Sequence, residues 1–328
     1  MTAQVAKKYR IKQGWLRVLL FGIGFAIVTL LVLIAAVSGL LGAHLDQIRA
    51  DPQHAFANLM SGNLLWLIIV TEVIVSVITV AIFWKFIDRK PFDSLGFRIT
   101  GFGVEAAIGL FMGPALLGVS AILLLLTGHL QWVDITLDGS GLFISFGLLV
   151  MVAFSEELVF RGYILNNLMD TFASKWVALG VSAILFAIFH LGNPGMNTLA
   201  FVNLILAGFL LGLNYIYTGN LWFSLLFHLS WNFFQGPLLG FRVSGLNLPS
   251  LLQAETKGDM MLTGGDFGLE GSILNTAVSL TAILVLAWAF ERKYNAQGNP
   301  PRNLRSSSHG NLPNSPQSDS PGTDTAMA

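Results

Sequence analysis

The chain of 328 residues contains no cysteine. Disulfides, thiolate metal sites, iron–sulfur clusters, thiol nucleophiles and lipidated cysteines are therefore excluded together, and the redox compartment is not written in it. Charge is also scarce: Asp, Glu, Lys and Arg make up 11% of the chain, against about 25% in a soluble domain. Eighteen basic residues cancel eighteen acidic ones, so there is no surplus for a phosphate backbone, and no nucleic acid partner is expected. No 20–50-residue repeat recurs, which removes solenoid architectures. What the sequence has in quantity is apolar surface, with 54% hydrophobic residues and a mean hydropathy of +0.69. Membrane lipid is the expected surrounding.

Spanning helices need about 20 mostly apolar residues. Runs of this kind lie near Val18–Ala43, Leu64–Trp84, Ala106–Leu126, Gly141–Leu165, Trp176–His190, Thr198–Ile216, Leu221–Phe234 and Ile273–Phe290. The expected fold is all-α and polytopic, with about eight transmembrane helices. The first run is too long for a cleaved signal peptide and is expected to remain in the mature protein. Lys7, Lys8, Arg10, Lys12 and Arg17 precede it, and Lys85, Arg89, Lys90 and Arg98 lie in the 85–98 loop; the alternate loops 44–61 and 127–140 are acidic. By the positive-inside rule both termini are cytoplasmic. The domain plan is a basic tail at 1–16, a helical membrane domain at 17–295, and a Pro/Ser-rich tail at 296–328 expected to be disordered. The 236–272 loop, with Asp259, Asp266, Glu270 and several glycines, reads as irregular and solvated.

Three charges interrupt the fourth run: Glu156, Glu157 and Arg161. Bare in lipid they would cost roughly 8–10 kcal/mol, against about 7 recovered from their apolar neighbours. Glu157 and Arg161 share a helix face as an i,i+4 pair, and Glu156 is rotated away from both. One carboxylate is thus neutralised locally and the other is aimed elsewhere, unless all three form a packing clamp. Of six histidines, only His190 and His228 fall inside the runs; Phe186 lies one turn before the first and Asn232 one turn after the second. A buried polar group in a bilayer must find a partner. Two histidines, an amide and a spare carboxylate therefore suit either a metal or an activated water with an oxyanion. Glu72, midway along the second run, has no motif around it and reads equally well as a hydrogen-bonded structural carboxyl. Gly208 and Gly212, four apart, read as helix packing.

In order along the chain, Glu156-Glu157-x-x-x-Arg161, Phe186-x-x-x-His190 and His228-x-x-x-Asn232 resemble the CPBP family of intramembrane proteases, also called the ABI or CAAX-prenyl-protease-like family, which includes the type II CAAX endopeptidases. The resemblance covers about residues 140–236. It implies that Glu156, assisted by His190, activates the attacking water, that His228 and Asn232 hold the oxyanion, and that Glu157, Arg161 and Phe186 support them. The family has also been described as metal-dependent. No cofactor is favoured; Zn2+ is the alternative, with Glu156, His190 and His228 as ligands. The string lacks the signatures of other intramembrane proteases: there is no His-Glu-x-x-His, no Gly-x-Ser-Gly and no Gly-x-Gly-Asp. A rise of 1.5 Å per residue sets Glu156 and His190 at different depths if each run crosses the whole bilayer, and a site in the cytoplasmic half is favoured.

The function implied is an endopeptidase acting on a membrane-associated peptide or membrane protein, possible substrates including prenylated CAAX tails. Two other classes stay open. One is a transporter using Glu72, Glu156, His190 and His228 as a proton relay, although no inverted repeat is visible. The other is a non-catalytic scaffold or self-immunity protein on the same fold. With no sorting signal, a bacterial inner membrane suits the chain best. Oligomeric state is not legible.

Overall fold

The computed structural model describes residues 9–43 and 64–296. The expectations for the 44–61 connection, for the first eight residues of the basic tail, and for the 297–328 part of the C-terminal tail lie outside these residues. All eight apolar runs are helical. They are α1 (Gly14–Ala43), α2 (Leu64–Ile82, continued by a π-helical turn over Phe83–Ile87), α3 (Gly103–Leu126), α4 (Gly139–Met169), α5 (Lys175–Phe189), α6 (Thr198–Thr218), α7 (Trp222–Phe233, continued by a π-helical turn over Phe234–Leu238) and α8 (Ile273–Ala296).

Six of these helices are long and apolar enough to cross a bilayer; α5 and α7 are not. The protein is an integral membrane protein in which two of the eight expected spans are short. The breakers explain why. Immediately after His190 comes Leu191-Gly-Asn-Pro-Gly195, which stops α5 after fifteen residues. Gly236-Pro237 ends α7.

Side-chain pairs show how the helix ends are arranged. Arg17 at the start of α1 meets Asp88 just after α2 at 3.1 Å, both buried, and Lys90 reaches Asp170 just after α4 at 2.8 Å. Lys175 pairs with Glu291, and Glu105 with Lys293. The starts of α1, α3 and α5 therefore gather at one end of the bundle with the finishes of α2, α4 and α8, as alternation requires. At that end Lys90 is pushed below its ordinary pKa by burial, partly restored by Asp170.

Small residues set the helix contacts. A Cβ at Gly113 of α3 would lie 2.6 Å from the Ser230 hydroxyl of α7, and one at Gly208 of α6 would lie 2.7 Å from the Ala183 backbone of α5. The packing reading of Gly208 holds, and such close approach is how helices associate where lipid is as apolar as the side chains.

One loop differs from expectation. Residues 236–272 are not simply irregular: β1 (Leu130–Ile135), in the 127–140 connection, pairs antiparallel with β2 (Leu252–Thr256), with a bulge between Trp132 and Asp134. Phe241, Val243, Leu248, Phe267 and Leu269 are buried. The 236–272 segment folds back onto the helices because it carries this apolar set. Asn203 of α6 then holds its Glu270 and Ser272 carbonyls, each at 2.8 Å.

Candidate active site

Glu156 and Glu157 sit where α4 changes from regular α-helix to a π-helical stretch over Leu158–Leu165. Such widened turns are frequent at functional sites. Arg161 lies inside that stretch, and its Nη1 donates to Glu157 Oε1 at 2.7 Å. Nη2 donates to the Gly208 carbonyl at 3.3 Å, and the guanidinium lies over the Phe186 ring at 4.6 Å. Both members of the ion pair are fully buried, so the local neutralisation expected from their spacing is present.

His228 joins the pair from α7. Its Nδ1 lies 2.9 Å from Glu157 Oε1, and since a carboxylate accepts, Nδ1 carries the hydrogen. At the end of α5, His190 Nδ1 lies 2.8 Å from the Phe186 carbonyl, which likewise can only accept. The two anchors aim both Nε2 atoms at one place. His190 Nε2 is 3.6 Å and His228 Nε2 is 3.9 Å from Glu156 Oε2. That oxygen is buried and has no hydrogen-bond partner among the described residues. Asn232, one turn beyond His228, lines the same cavity as both histidines and Glu156.

All four residues singled out for chemistry are therefore brought to one cavity, with Glu157, Arg161 and Phe186 behind them. The difference in depth disappears. α4 continues to Met169, so Glu156 lies thirteen residues, about 20 Å, from its end. α5 starts beside that end at Lys175 and stops at His190, about 22 Å along.

The cavity has a volume of about 600 Å³. Its walls are mostly apolar and come from α1, α2, α4 and the 236–272 segment, with Leu30, Ile68 and Phe189 on its lining. These three side chains are also exposed, so the cleft is open rather than sealed inside the bundle. Glu72 lines it too, its Oε1 accepting from Ser155 Oγ at 3.1 Å. Reading the sequence did not attach Glu72 to the site, because nothing in its neighbours signals that α2 turns this face to α4.

The second omission is the part of the 236–272 segment that reaches the site. Ser244 donates through both its backbone N–H and its hydroxyl to the Glu270 carboxylate, and both residues line a small, mostly apolar pocket together with His190, His228 and Asn232. Burial pushes the Glu270 carboxyl above its ordinary value, against the lowering effect of the Ser244 hydrogen bonds. The buried aromatic residues of a nominal loop were the available signal.

Residues 138–234 match the family described as Type II CAAX prenyl endopeptidase Rce1-like. The match begins at the Asp138 cap of α4 and runs into the last turn of α7, so it encloses every residue of the three motifs. It covers less than a third of the chain; α1, α2, α3 and α8 lie outside it. No curated protein and no solved structure matches the chain.

Proposed function

We propose that the protein is an intramembrane endopeptidase that hydrolyses a peptide bond of a membrane-associated substrate. The observation that carries this reading is Glu156: a carboxylate oxygen without a hydrogen-bond partner, faced by two imidazole Nε2 atoms, in an open, mostly apolar cleft. Glu156 takes a proton from a water oriented by the His190 Nε2 lone pair, and the water oxygen bonds to the substrate carbonyl carbon. The carbonyl oxygen becomes the oxyanion, held by His228 Nε2–H and the Asn232 amide. As the carbon–nitrogen bond breaks, Glu156 returns its proton to the leaving nitrogen, giving one carboxylic acid and one amine.

In this scheme His228 works as imidazolium, with Nδ1–H held by Glu157 and Nε2–H free for the oxyanion. The charges of Glu156, Glu157, Arg161 and His228 then sum to zero, which suits a medium where net charge is costly. The apolar walls would also take a lipid chain, so a prenylated CAAX-type tail is among the substrates we infer. Lys/Arg placement supports cytoplasmic termini, and a bacterial inner membrane is the host we favour.

Zinc is the alternative water activator, with Glu156, His190 and His228 as its ligands and a bound water acidified towards neutrality. Tetrahedral ligands held at about 2.1 Å stand about 3.4 Å apart. The separations of 3.6 and 3.9 Å would have to close by a few tenths of an ångström to hold an ion. Asn232 is a better oxyanion donor than zinc ligand, which supports the glutamate mechanism. The proton-relay and scaffold readings have no comparable support.

The test is cleavage of a library of membrane-inserted peptides by purified protein in detergent, followed by mass spectrometry, beside Glu156→Gln protein of equal melting temperature. Cleavage by the first and none by the second is expected; equal cleavage by both would overturn the assignment. Stoichiometric zinc by elemental analysis, with activity lost on its removal and restored by zinc alone, would replace the glutamate mechanism with the metal one.

A further inference from the structure

Glu72 lies outside the stretch matched to the family and takes no part in the scheme above. It is partly exposed in the cleft. One turn later on the same helix face, Ser76 is fully buried and lines the same cleft, and its hydroxyl has no hydrogen-bond partner among the described residues. Thr29 Oγ1 on α1, the neighbouring wall, is also buried and without a partner there. Glu72 and Ser76 thus stand one turn apart on α2, and Thr29 lines the same cleft from α1. No Lys or Arg lines the cleft.

A buried oxygen left without a partner is costly, and a carboxylate in a membrane calls for an opposite charge. An amide or hydroxyl of a ligand would satisfy one or two of these groups and leave the charge of Glu72 uncancelled. An ammonium brings three N–H donors and a guanidinium five, together with the positive charge. We propose that Glu72, Ser76 and Thr29 form a recognition pocket for a basic side chain of the substrate, so that the cleft selects peptides carrying Lys or Arg near the scissile bond. Ser155, which donates to Glu72, is the residue next to Glu156; this adjacency places the basic side chain within a few residues of the bond that is cut. The inference rests on the peptidase reading for the nature of the ligand.

The experiment measures binding and cleavage separately. Fluorescent membrane peptides, identical except for Lys, Arg, Gln, Leu or Glu at one position within three residues of the cleavage point, are titrated against purified full-length protein by anisotropy, and their cleavage is followed in parallel. The Lys and Arg peptides should bind at least about tenfold tighter than the Gln peptide. Glu72→Gln should remove most of that preference, read as the ratio of Lys-peptide to Gln-peptide affinity. Ser76→Ala and Thr29→Val should each remove part of it, and Glu72→Lys should shift the preference to the Glu peptide. Equal binding of the Lys and Gln peptides by the unaltered protein would overturn the inference, as would a Glu72→Gln protein of unchanged melting temperature that weakens every peptide alike. Preference in binding without any cleavage would support the pocket and sink the peptidase reading. Cleavage without preference would do the reverse.

Discussion

Two helices that hydropathy alone treats alike behave differently in the fold. The most apolar stretch of the α1 span Gly14–Gly39 is more hydropathic than that of α6, yet 17% of the first stretch is buried and 61% of the second. The more apolar helix is at the periphery because lipid accepts it as it is. The less apolar one sits inside because its glycines admit neighbours and its polar groups need partners: the Gly208 carbonyl receives Arg161, and Asn203 holds the 270–272 turn. In a membrane protein the interior is marked by small and polar residues rather than by the greasiest ones.

The sharpest way to test that contrast is at the chemistry. Glu156→Gln should lower turnover by roughly 10²–10⁴-fold, the range of a lost general base, while the melting temperature stays nearly unchanged; a peptide-cleavage assay beside a thermal melt reads both. Next in size is the neighbouring carboxylate. Glu157→Gln leaves Arg161 buried and half-partnered and should cost about 3–5 kcal/mol of stability. Glu157→Gln combined with Arg161→Met should recover part of that loss. If Glu157→Gln melts normally while Glu156→Gln unfolds, the two roles are reversed.

A smaller effect compares the two helices directly. Gly208→Leu drives a side chain into the Ala183 backbone and should cost about 1–3 kcal/mol. Gly22→Leu on α1, where nothing lies within 4 Å of the added carbon, should stay within about 0.5 kcal/mol. Equal melting temperatures for the two variants would break the comparison.

The smallest effect is a pH slope. Glu270 has its folded-state pKa raised by burial, so its contribution to stability is fully present below the ordinary value of about 4.5 and is lost as pH rises through the raised value. Melting temperature should therefore fall with rising pH over that window in the unaltered protein, and fall less in Glu270→Gln.

Much of this was legible in the sequence. Eight apolar runs located eight helices, and the spacing of Glu157 and Arg161 was enough to pair them. The motifs on α4, α5 and α7 picked out residues that do converge, because a charge or an imidazole in a bilayer has few tolerable surroundings. Other features escaped. The run Trp176–His190 ends where α5 ends, but it was counted as a full span although its fifteen residues fall short of the about 20 that a crossing needs. Glu72 was set apart because the face that α2 turns to α4 is decided by packing between helices distant in sequence. The 236–272 segment was read from its glycines and acids, while Phe241, Phe267 and Leu269, which decide its burial, are too sparse to show a period.

The fifteen residues of α5 measure about 22 Å, and the hydrocarbon layer is about 30 Å thick. The turn that follows His190 therefore lies short of the far face of the bilayer, where irregular backbone is tolerated only against protein or a polar cavity. The 236–272 segment supplies that cover: a Cβ at Gly195 would lie 2.6 Å from the Asp266 carbonyl carbon, and one at Gly245 would lie 2.0 Å from the Pro194 carbonyl oxygen. A folded loop thus takes the place of the helical turns that α5 lacks.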